Sequence, residues 1–230
     1  MNNHIVILGG MGPQASAELH RLIVDKAART SVDPEKFPEI LHASLTIRDF
    51  IADSEAIADA ITHTREVCQA LPMLSASAIG LACNTAHLLL DRIPELQNDT
   101  FVSMIDAVCE SIVAGRFEKV GLLASPSTIR TKLYESPLRD RGIDVILPSE
   151  HDLPELANII RELITGEDRD ALRMRLSAIS DMLTHGGADV ILLGCTELPL
   201  IGIDTSLPTI SSLDVLAARL LTKHSEGAML

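Results

Sequence analysis

The sequence is short of positive charge. Of its 230 residues, 19 are Lys or Arg and 32 are Asp or Glu, which gives a formal net charge of −13 and a pI near 4.9. Nucleic acids and acidic membrane surfaces are bound by clustered Lys and Arg, so this composition argues against both as partners. We expect a small-molecule ligand instead.

Long apolar runs and paired cysteine motifs are also missing. No run approaches the ~20 apolar residues of a membrane span, and residues 1–5 lack the features of a leader peptide. The cysteines at 68, 83, 109 and 195 have no C-x-x-C spacing, so neither a zinc knuckle nor a dithiol redox motif is indicated. Free thiols fit a reducing compartment, and we expect a cytoplasmic protein without a metal.

Two apolar segments of the chain each end in a cysteine. Residues 78–82 and 190–194 are typical of buried parallel strands, and Cys83 and Cys195 follow them directly. The segments 78–85 and 190–197 correspond at a constant offset of 112 positions, which indicates a duplication. Because open α/β sheets bind ligands at the carboxyl ends of their strands, both thiols are expected at ligand edges.

The remaining sequence repeats strand and helix units joined by short Gly and Pro segments. Such repeats predict parallel sheets covered by helices, here an α/β protein of two pseudosymmetric lobes with the active site in the cleft between them. We expect residues 1–98 plus 210–230 to form the N-terminal lobe and 99–209 the C-terminal lobe. The predicted strands are 5–8, 40–45, 78–83, 101–105, 120–124, 143–148, 190–195 and 207–210; the predicted helices are 14–28, 54–71, 86–92, 106–115, 153–165, 168–184 and 214–223.

A glycine loop follows the first predicted strand, as Gly9-Gly10-Met11-Gly12-Pro13. Its glycines let the backbone turn sharply next to a helix N-terminus, where amides suit a carboxylate. The spacing also fits a loose dinucleotide fingerprint, but that motif requires an acidic residue at the end of the second strand. Arg48 lies there instead, either as a solvated loop residue or as a clamp that binds a carboxylate through two parallel hydrogen bonds.

The residues around Cys83 suggest how its thiol is supported. Asn84 or Thr85 is a suitable N-cap for the helix predicted over 86–92, and the positive end of that helix would favour a thiolate. His87 lies one turn further on, either as a packed or surface residue or as a proton relay. Cys68 and Cys109, by contrast, lie on apolar helix faces and are expected in the core.

Two thiols at equivalent edges suit one kind of chemistry. Inversion of a stereocentre next to a carboxylate needs two acid/base groups on opposite sides of one carbon. One sulfur must be a thiolate while the other is a thiol, and the two exchange states at each turnover. Thr85, His87, Thr196 and Glu197 would orient and tune them, although Glu197 is equally compatible with an ordinary acid in a first helical turn.

Three motifs together resemble the cofactor-independent aspartate/glutamate racemase superfamily, and especially its aspartate racemases: Gly9-Gly10-Met11-Gly12-Pro13, Cys83-Asn84-Thr85-Ala86-His87 and Gly194-Cys195-Thr196-Glu197. The resemblance implies a homodimer of two-lobed subunits that racemises an acidic amino acid through catalytic Cys83 and Cys195, without metal or pyridoxal phosphate. It also implies that Arg48 binds a carboxylate. The remaining substrate-binding residues that it implies are Met11, Asn84, Thr85, Ser125, Ser127, Thr128, Thr196 and Glu197.

The chain departs from that family at Thr165, where aspartate racemases commonly have a carboxylate-binding lysine. Arg161, one turn earlier, would compensate, or the recognised side chain differs. None of the five lysines is predicted at the carboxyl end of a strand, so a pyridoxal Schiff base has no anchor. Besides racemisation, two functions remain open: a one-cysteine relative, such as a decarboxylase or cis-trans isomerase acting on a small carboxylate, and a binding module without turnover.

The proposed arginine clamp makes a direct prediction. Arg48→Ala should weaken substrate binding more than Lys132→Ala does, because a bidentate charge-assisted contact is typically worth ~1.5 to 3 kcal/mol. Steady-state kinetics of the two variants measures the difference. Equal effects would contradict the clamp.

Overall fold

The computed structural model describes residues 4–30, 37–45, 47, 54–70 and 76–228. The chain divides into two compact units. The first comprises Met1–Met104 with Leu213–Leu230, and the second comprises Ile105–Ser212. Each unit contains one of the two cysteines predicted at ligand edges.

The first unit is built on a parallel four-stranded sheet in the order β2-β1-β3-β4. Pro13 occupies the first position of the helix after β1, where its missing N–H costs nothing. The strands are β1 (His4–Gly9), β2 (Glu39–Ser44), β3 (Ala76–Leu81) and β4 (Phe101–Val102); the helices are α1 (Pro13–Thr30), α2 (Ser54–Ala70), the closing helix α8 (Ser212–Ala228), and two 3-10 segments, Thr85–Arg92 and Pro94–Leu96.

The second unit has a parallel sheet in the order β6-β5-β7-β8. This order repeats that of the first sheet, so the predicted pair of pseudosymmetric α/β lobes is confirmed in the strand topology. The strands are β5 (Lys119–Leu123), β6 (Asp144–Ile146), β7 (Val190–Leu193) and β8 (Thr209–Ser211); the helices are α3 (Met104–Ala114), α4 (Pro126–Arg130), α5 (Glu135–Arg139), α6 (Leu153–Thr165), α7 (Arg169–His185) and a 3-10 segment, Leu198–Leu200.

The central strands form the core of each unit. Every residue of β1, β3 and β7 is buried, as expected for strands that are covered on both faces. Gly80 in β3 is required by close packing, because a Cβ there would lie 2.8 Å from Cδ1 of Leu220 in α8. Within the described ranges, no helix is long and apolar enough to cross a bilayer.

Several elements differ from the sequence-based expectations. The segment predicted as an α-helix over 86–92 is the 3-10 helix Thr85–Arg92. The strand predicted over 101–105 ends at Val102, since α3 already begins at Met104. The short helix α5 was not predicted.

The unit boundaries also lie later than the predicted lobe boundaries at 98/99 and 209/210. The structure divides the chain after Met104 and after Ser212. The reason is strand pairing: β4 is hydrogen-bonded to β3, and β8 is hydrogen-bonded to β7. Each edge strand therefore belongs to the sheet that precedes it in the chain, and the boundary follows the strand.

A polar cluster lies at the amino end of the first sheet. The Ser77 hydroxyl donates to the His4 carbonyl oxygen at 3.0 Å and lies 2.6 Å from Nδ1 of His224 in α8. Burial lowers the pKa of His224, and the neighbouring His4 lowers it further. The folded chain therefore disfavours the imidazolium form of His224.

Acidification should consequently destabilise the protein. The folded pKa of His224 lies below its unfolded value of ~6.5, so this contribution to stability is complete above ~6.5 and is lost as the pH falls through the folded pKa. Chemical denaturation should give a lower free energy of unfolding at about pH 5.5 than at about pH 7.5, and His224→Gln should reduce the loss. His151→Gln, at a side chain that is 99% exposed, should not. An undiminished acid loss in His224→Gln would show that this histidine does not contribute.

Candidate active site

The carboxyl edge of the first sheet brings the glycine loop and Cys83 onto neighbouring strands. β1 and β3 pair in parallel as far as Leu8 and Leu81, and the Ala82 amide then donates to the Leu8 carbonyl oxygen at 2.8 Å. Cys83 follows immediately. The sequence therefore placed this thiol correctly after the third strand of the first sheet.

The glycine loop is shaped by close backbone approach. Gly10 has a φ of +94°, and a Cβ there would lie 1.9 Å from the Leu45 carbonyl oxygen. Its amide donates to Oγ of Ser16 at 3.3 Å, and that hydroxyl donates to the Pro13 carbonyl oxygen at 3.0 Å. This amide is thus used within the loop, whereas the sequence reasoning had offered it to an anionic ligand. Met11 packs against the apolar cluster that contains Cys83.

The turn after Cys83 differs from the predicted cap. Asn84 has helical backbone angles, φ −61° and ψ −52°, and its side chain makes no capping hydrogen bond. Thr85 begins the 3-10 helix and does not cap an α-helix. Asn84 and Thr85 are buried, as is Cys83, which is 8% exposed.

His87 holds this turn through both of its ring nitrogens. Nδ1 lies 2.8 Å from the Cys83 carbonyl oxygen, and the Met104 amide donates to Nε2 at 3.1 Å. A carbonyl oxygen only accepts and an amide only donates, so the ring is neutral with its proton on Nδ1. The bond to Met104 also satisfies an amide in the first turn of α3. His87 is therefore a structural clamp beside Cys83, where the sequence had left a proton relay open.

The second sheet repeats this edge around Cys195. β5 and β7 pair as far as Leu123 and Leu193, and the Gly194 amide donates to the Leu123 carbonyl oxygen at 2.8 Å. Cys195 follows, and it is also 8% exposed. The duplication predicted from the sequence thus extends to the hydrogen bond that precedes each cysteine.

Glu197 is an ionisable group in contact with Cys195. The thiol and the Thr196 hydroxyl both donate to Oε2 of Glu197, each at 3.0 Å. Glu197 is 4% exposed, and this burial raises its pKa, although the two hydrogen bonds act in the opposite direction. The sequence had left its role open between a tuning group and an ordinary helical acid. The contacts of Glu197 with Cys195 and Thr196 favour the role of a tuning group.

Tyr134 lies beside the same site and was not identified from the sequence. A Cβ on Gly194 would lie 3.1 Å from Cε2 of Tyr134, which is fully buried. Burial raises the pKa of Tyr134, and negative charge at Cys109 or Cys195 would raise it further. The one signal available in the sequence was that this is the chain's single tyrosine.

Three further candidates lie at the carboxyl end of β5. Ser125 caps α4, since its Oγ accepts from the Thr128 amide at 3.2 Å and lies 3.0 Å from Oγ1 of Thr128. Thr128 is buried, and Ser127 is partly exposed. This segment forms the N-cap and the first turn of α4.

Arg161 and Thr165 have hydrogen-bond partners within α6. Nη1 of Arg161 donates to Oδ1 of Asn158 on the same helix, and Thr165 bonds carbonyl oxygens of its own helix. Arg48 lies outside the described residues. Cys68 and Cys109 are core residues, and burial raises the pKa of each to about 11. Among residues 4–30, 37–45, 47, 54–70 and 76–228, no cluster of three or more His, Cys, Asp or Glu could hold a metal ion.

The fold and site define a duplicated α/β protein with a buried thiol after the third strand of each repeat. Residues 8–220 match the family model described as Asp/Glu/Hydantoin racemase. The chain belongs to this family.

Named relatives agree with this assignment. A glutamate racemase from Deinococcus radiodurans is 26% identical over 196 residues, which cover 83% of this chain and 61% of that protein. The chain thus spans less than two thirds of the length of this curated relative. An aspartate racemase homologue from Pyrococcus horikoshii OT3 is 27% identical, with a TM-score of 0.77 over 98% of this chain and 100% of that one. The Picrophilus torridus aspartate racemase shares the fold, with 22% identity and a TM-score of 0.82 over 97% and 94% of the two chains.

The clamp formed by His87 can be tested through stability. His87→Ala leaves the Met104 amide and the Cys83 carbonyl without these bonds in a buried site, at a cost of ~1 to 3 kcal/mol for each unsatisfied group. Urea denaturation should therefore show a clear loss of unfolding free energy. His151→Ala, at an exposed position, should change little. A loss no larger than that of the His151 control would contradict the clamp.

Proposed function

We propose that the protein is a cofactor-independent racemase of an acidic amino acid, aspartate or glutamate, in which Cys83 and Cys195 act on opposite faces of the α-carbon. The observation that carries this proposal is the equivalence of the two cysteines. Each follows the third strand of its sheet, after a matching 2.8 Å backbone hydrogen bond, with the same exposure of 8%. Structural thiols have no reason to recur at both ligand edges.

The chemistry requires each sulfur to alternate between thiolate and thiol. One thiolate removes the α-hydrogen as a proton, and the other thiol returns a proton to the opposite face. Both groups need the shelter of a buried site, where charge–charge interactions are stronger than in water. The core cysteines lack this role, because burial raises the pKa of Cys68 and Cys109 to about 11 and keeps them protonated.

An acidic amino acid is supported by the relatives, which are named as glutamate or aspartate racemases. In this proposal Asn84, Thr85, Ser125, Ser127, Thr128 and Thr196 hold the substrate's amino and carboxylate groups. Arg48 binds a carboxylate of the substrate. Cytoplasmic location and a homodimer are part of the same proposal.

The positions of the four lysines that the structure describes support a mechanism without pyridoxal phosphate. Lys26 is paired with Asp214 at 2.8 Å, and Lys119 begins β5 at the opposite end of the sheet from Cys195. Lys132 lies after α4, and Lys223 lies in α8. A Schiff base needs a lysine at the reacting carbon, so the two thiols remain the better candidates for the proton transfers.

A one-cysteine reaction of the same superfamily, a decarboxylation or a cis-trans isomerisation, is the alternative. The observation that favours it is the unequal support of the two thiols: Glu197 contacts Cys195, whereas the equivalent position beside Cys83 is Thr85. Such a reaction needs only one proton donor or nucleophile, so one cysteine would be dispensable.

Serine variants separate the two mechanisms. Cys83→Ser and Cys195→Ser should each lower racemisation by at least ~100-fold, because a serine hydroxyl is too weak an acid to cycle through its anion. A variant that keeps one thiolate should still exchange the α-hydrogen of one enantiomer with D2O, and the two variants should prefer opposite enantiomers. Proton NMR and chiral chromatography with each enantiomer of aspartate and glutamate measure both effects.

Cys68→Ser provides the control, since it places the same change at a buried thiol outside the site and should retain racemisation. Full activity in either Cys83→Ser or Cys195→Ser would end the two-cysteine proposal. Loss confined to one of them would favour the one-cysteine alternative.

A further inference from the structure

We propose that Glu197 holds Cys195 in its thiol form in the resting protein, so that Cys195 begins the cycle as the proton donor and Cys83 as the proton acceptor. The assignment of donor and acceptor rests on the proposed racemisation. The effect of Glu197 on the protonation of Cys195 does not depend on racemisation, because it follows from contacts within the second unit.

The first observation that supports this proposal is the hydrogen bond between Cys195 and Glu197. The Cys195 thiol donates to Oε2 of Glu197 at 3.0 Å, and both residues are more than nine-tenths buried. A thiolate here would lie one hydrogen-bond length from a carboxylate in a site sheltered from water. Like charges at that distance disfavour ionisation of the second group, so the proton stays on the sulfur while Glu197 is ionised.

The repeat shows that the two thiols, although equivalent in backbone position, have different neighbouring side chains. At the offset of 112 positions, the residue that corresponds to Glu197 is Thr85, which carries no charge. The corresponding position beside Cys83 therefore adds no negative charge, which is why Cys83 and not Cys195 is proposed as the proton acceptor. Tyr134 also interacts electrostatically with Cys195, and burial raises the pKa of Tyr134 so that it stays neutral.

The proton balance of a turnover follows from this arrangement. The Cys83 thiolate takes the α-hydrogen as a proton, which leaves the electron pair of the C–H bond on the α-carbon and forms an S–H bond at Cys83. The S–H bond of Cys195 then breaks, and its proton joins the opposite face of that carbon. To reset, Cys83 releases one proton to water and the Cys195–Glu197 pair takes one from water. Burial raises the pKa of Glu197, which helps the carboxylate to accept that proton beside the new thiolate.

Thiol alkylation tests the hold on Cys195 without using catalysis. Iodoacetamide reacts with thiolates, and peptide mass spectrometry reads each cysteine separately. In Glu197→Gln, alkylation of Cys195 near neutral pH should be about tenfold faster than in the wild type, because a neutral amide removes the repulsion. Glu197→Asp keeps a charge, so its increase should be smaller. Cys83 should react no faster than in the wild type.

Glu135→Gln is the matched control. Glu135 is also a buried carboxylate of the second unit, 6% exposed, but it pairs with Arg139 at 3.0 Å. Its replacement should leave the alkylation of Cys195 unchanged. Cys109, fully buried in the same unit, reports on loosening of the fold and should stay slow in every variant.

The pH dependence distinguishes charge from structural damage. An electrostatic hold vanishes when the thiol is fully ionised in both proteins, so the ratio of the Cys195 rates should fall towards one at high pH. A ratio that stays constant with pH would indicate loosening and would overturn the proposal, as would unchanged alkylation. In catalysis, the alkaline decline of kcat/KM should begin at lower pH in Glu197→Gln.

The two proposals can fail separately. The wild-type protein could racemise no acidic amino acid while Glu197→Gln still speeds the alkylation of Cys195. That result would end the proposed function but support the effect of Glu197 on Cys195. An active racemase in which Glu197→Gln alters neither alkylation nor the alkaline decline would end this inference alone.

Discussion

Parallel pairing of the central strands is the constraint on which both cysteine sites depend. In each unit the pairing extends one residue beyond the third strand, through the bonds from the Ala82 amide to the Leu8 carbonyl and from the Gly194 amide to the Leu123 carbonyl, both 2.8 Å long. The next residue is the cysteine. A one-residue slip would turn every side chain of a strand to the opposite face of its sheet, so the register that packs the core also places the thiols.

Side chains around this shared backbone have diverged. Beside Cys83, a neutral His87 joins the turn to the start of α3 through two backbone contacts. Beside Cys195, a buried carboxylate accepts from the thiol and from Thr196. A buried carboxylate is costly unless it is hydrogen-bonded, so Glu197 is stabilised by the same contacts that tie it to the thiol. The first site is therefore held by a fixed neutral group and the second by an ionisable one.

Much of the strand framework could be predicted from the sequence because buried parallel strands are continuous apolar runs, and α6 could be predicted because its buried face repeats with helical spacing. What could not be predicted depends on tertiary contacts. Residues 85–92 suit an α-helix locally, and α3 begins early because the Met104 amide bonds a histidine 17 positions away in the chain. The approach of Tyr134 to Gly194 likewise depends on tertiary packing, whereas the Ser125 cap of α4 is a local contact with Thr128 that the sequence analysis did not identify. Substrate contacts of Arg48 remain a prediction.

An identical pair of thiols would leave the resting state of such an enzyme undetermined, because either sulfur could carry the proton at equal free energy. Half of the molecules would then have the thiolate on the sulfur that cannot deprotonate the enantiomer that binds. A charged group beside only one of the two thiols makes the free energies of the two protonation forms unequal. It does not favour one direction of racemisation, since the two enantiomers are equal in free energy and the forward and reverse kcat/KM values must match. In the proposed mechanism, the glutamate at this position of one repeat, where the other repeat has a threonine, thus sets the resting protonation form, while the duplicated backbone supplies both sulfurs.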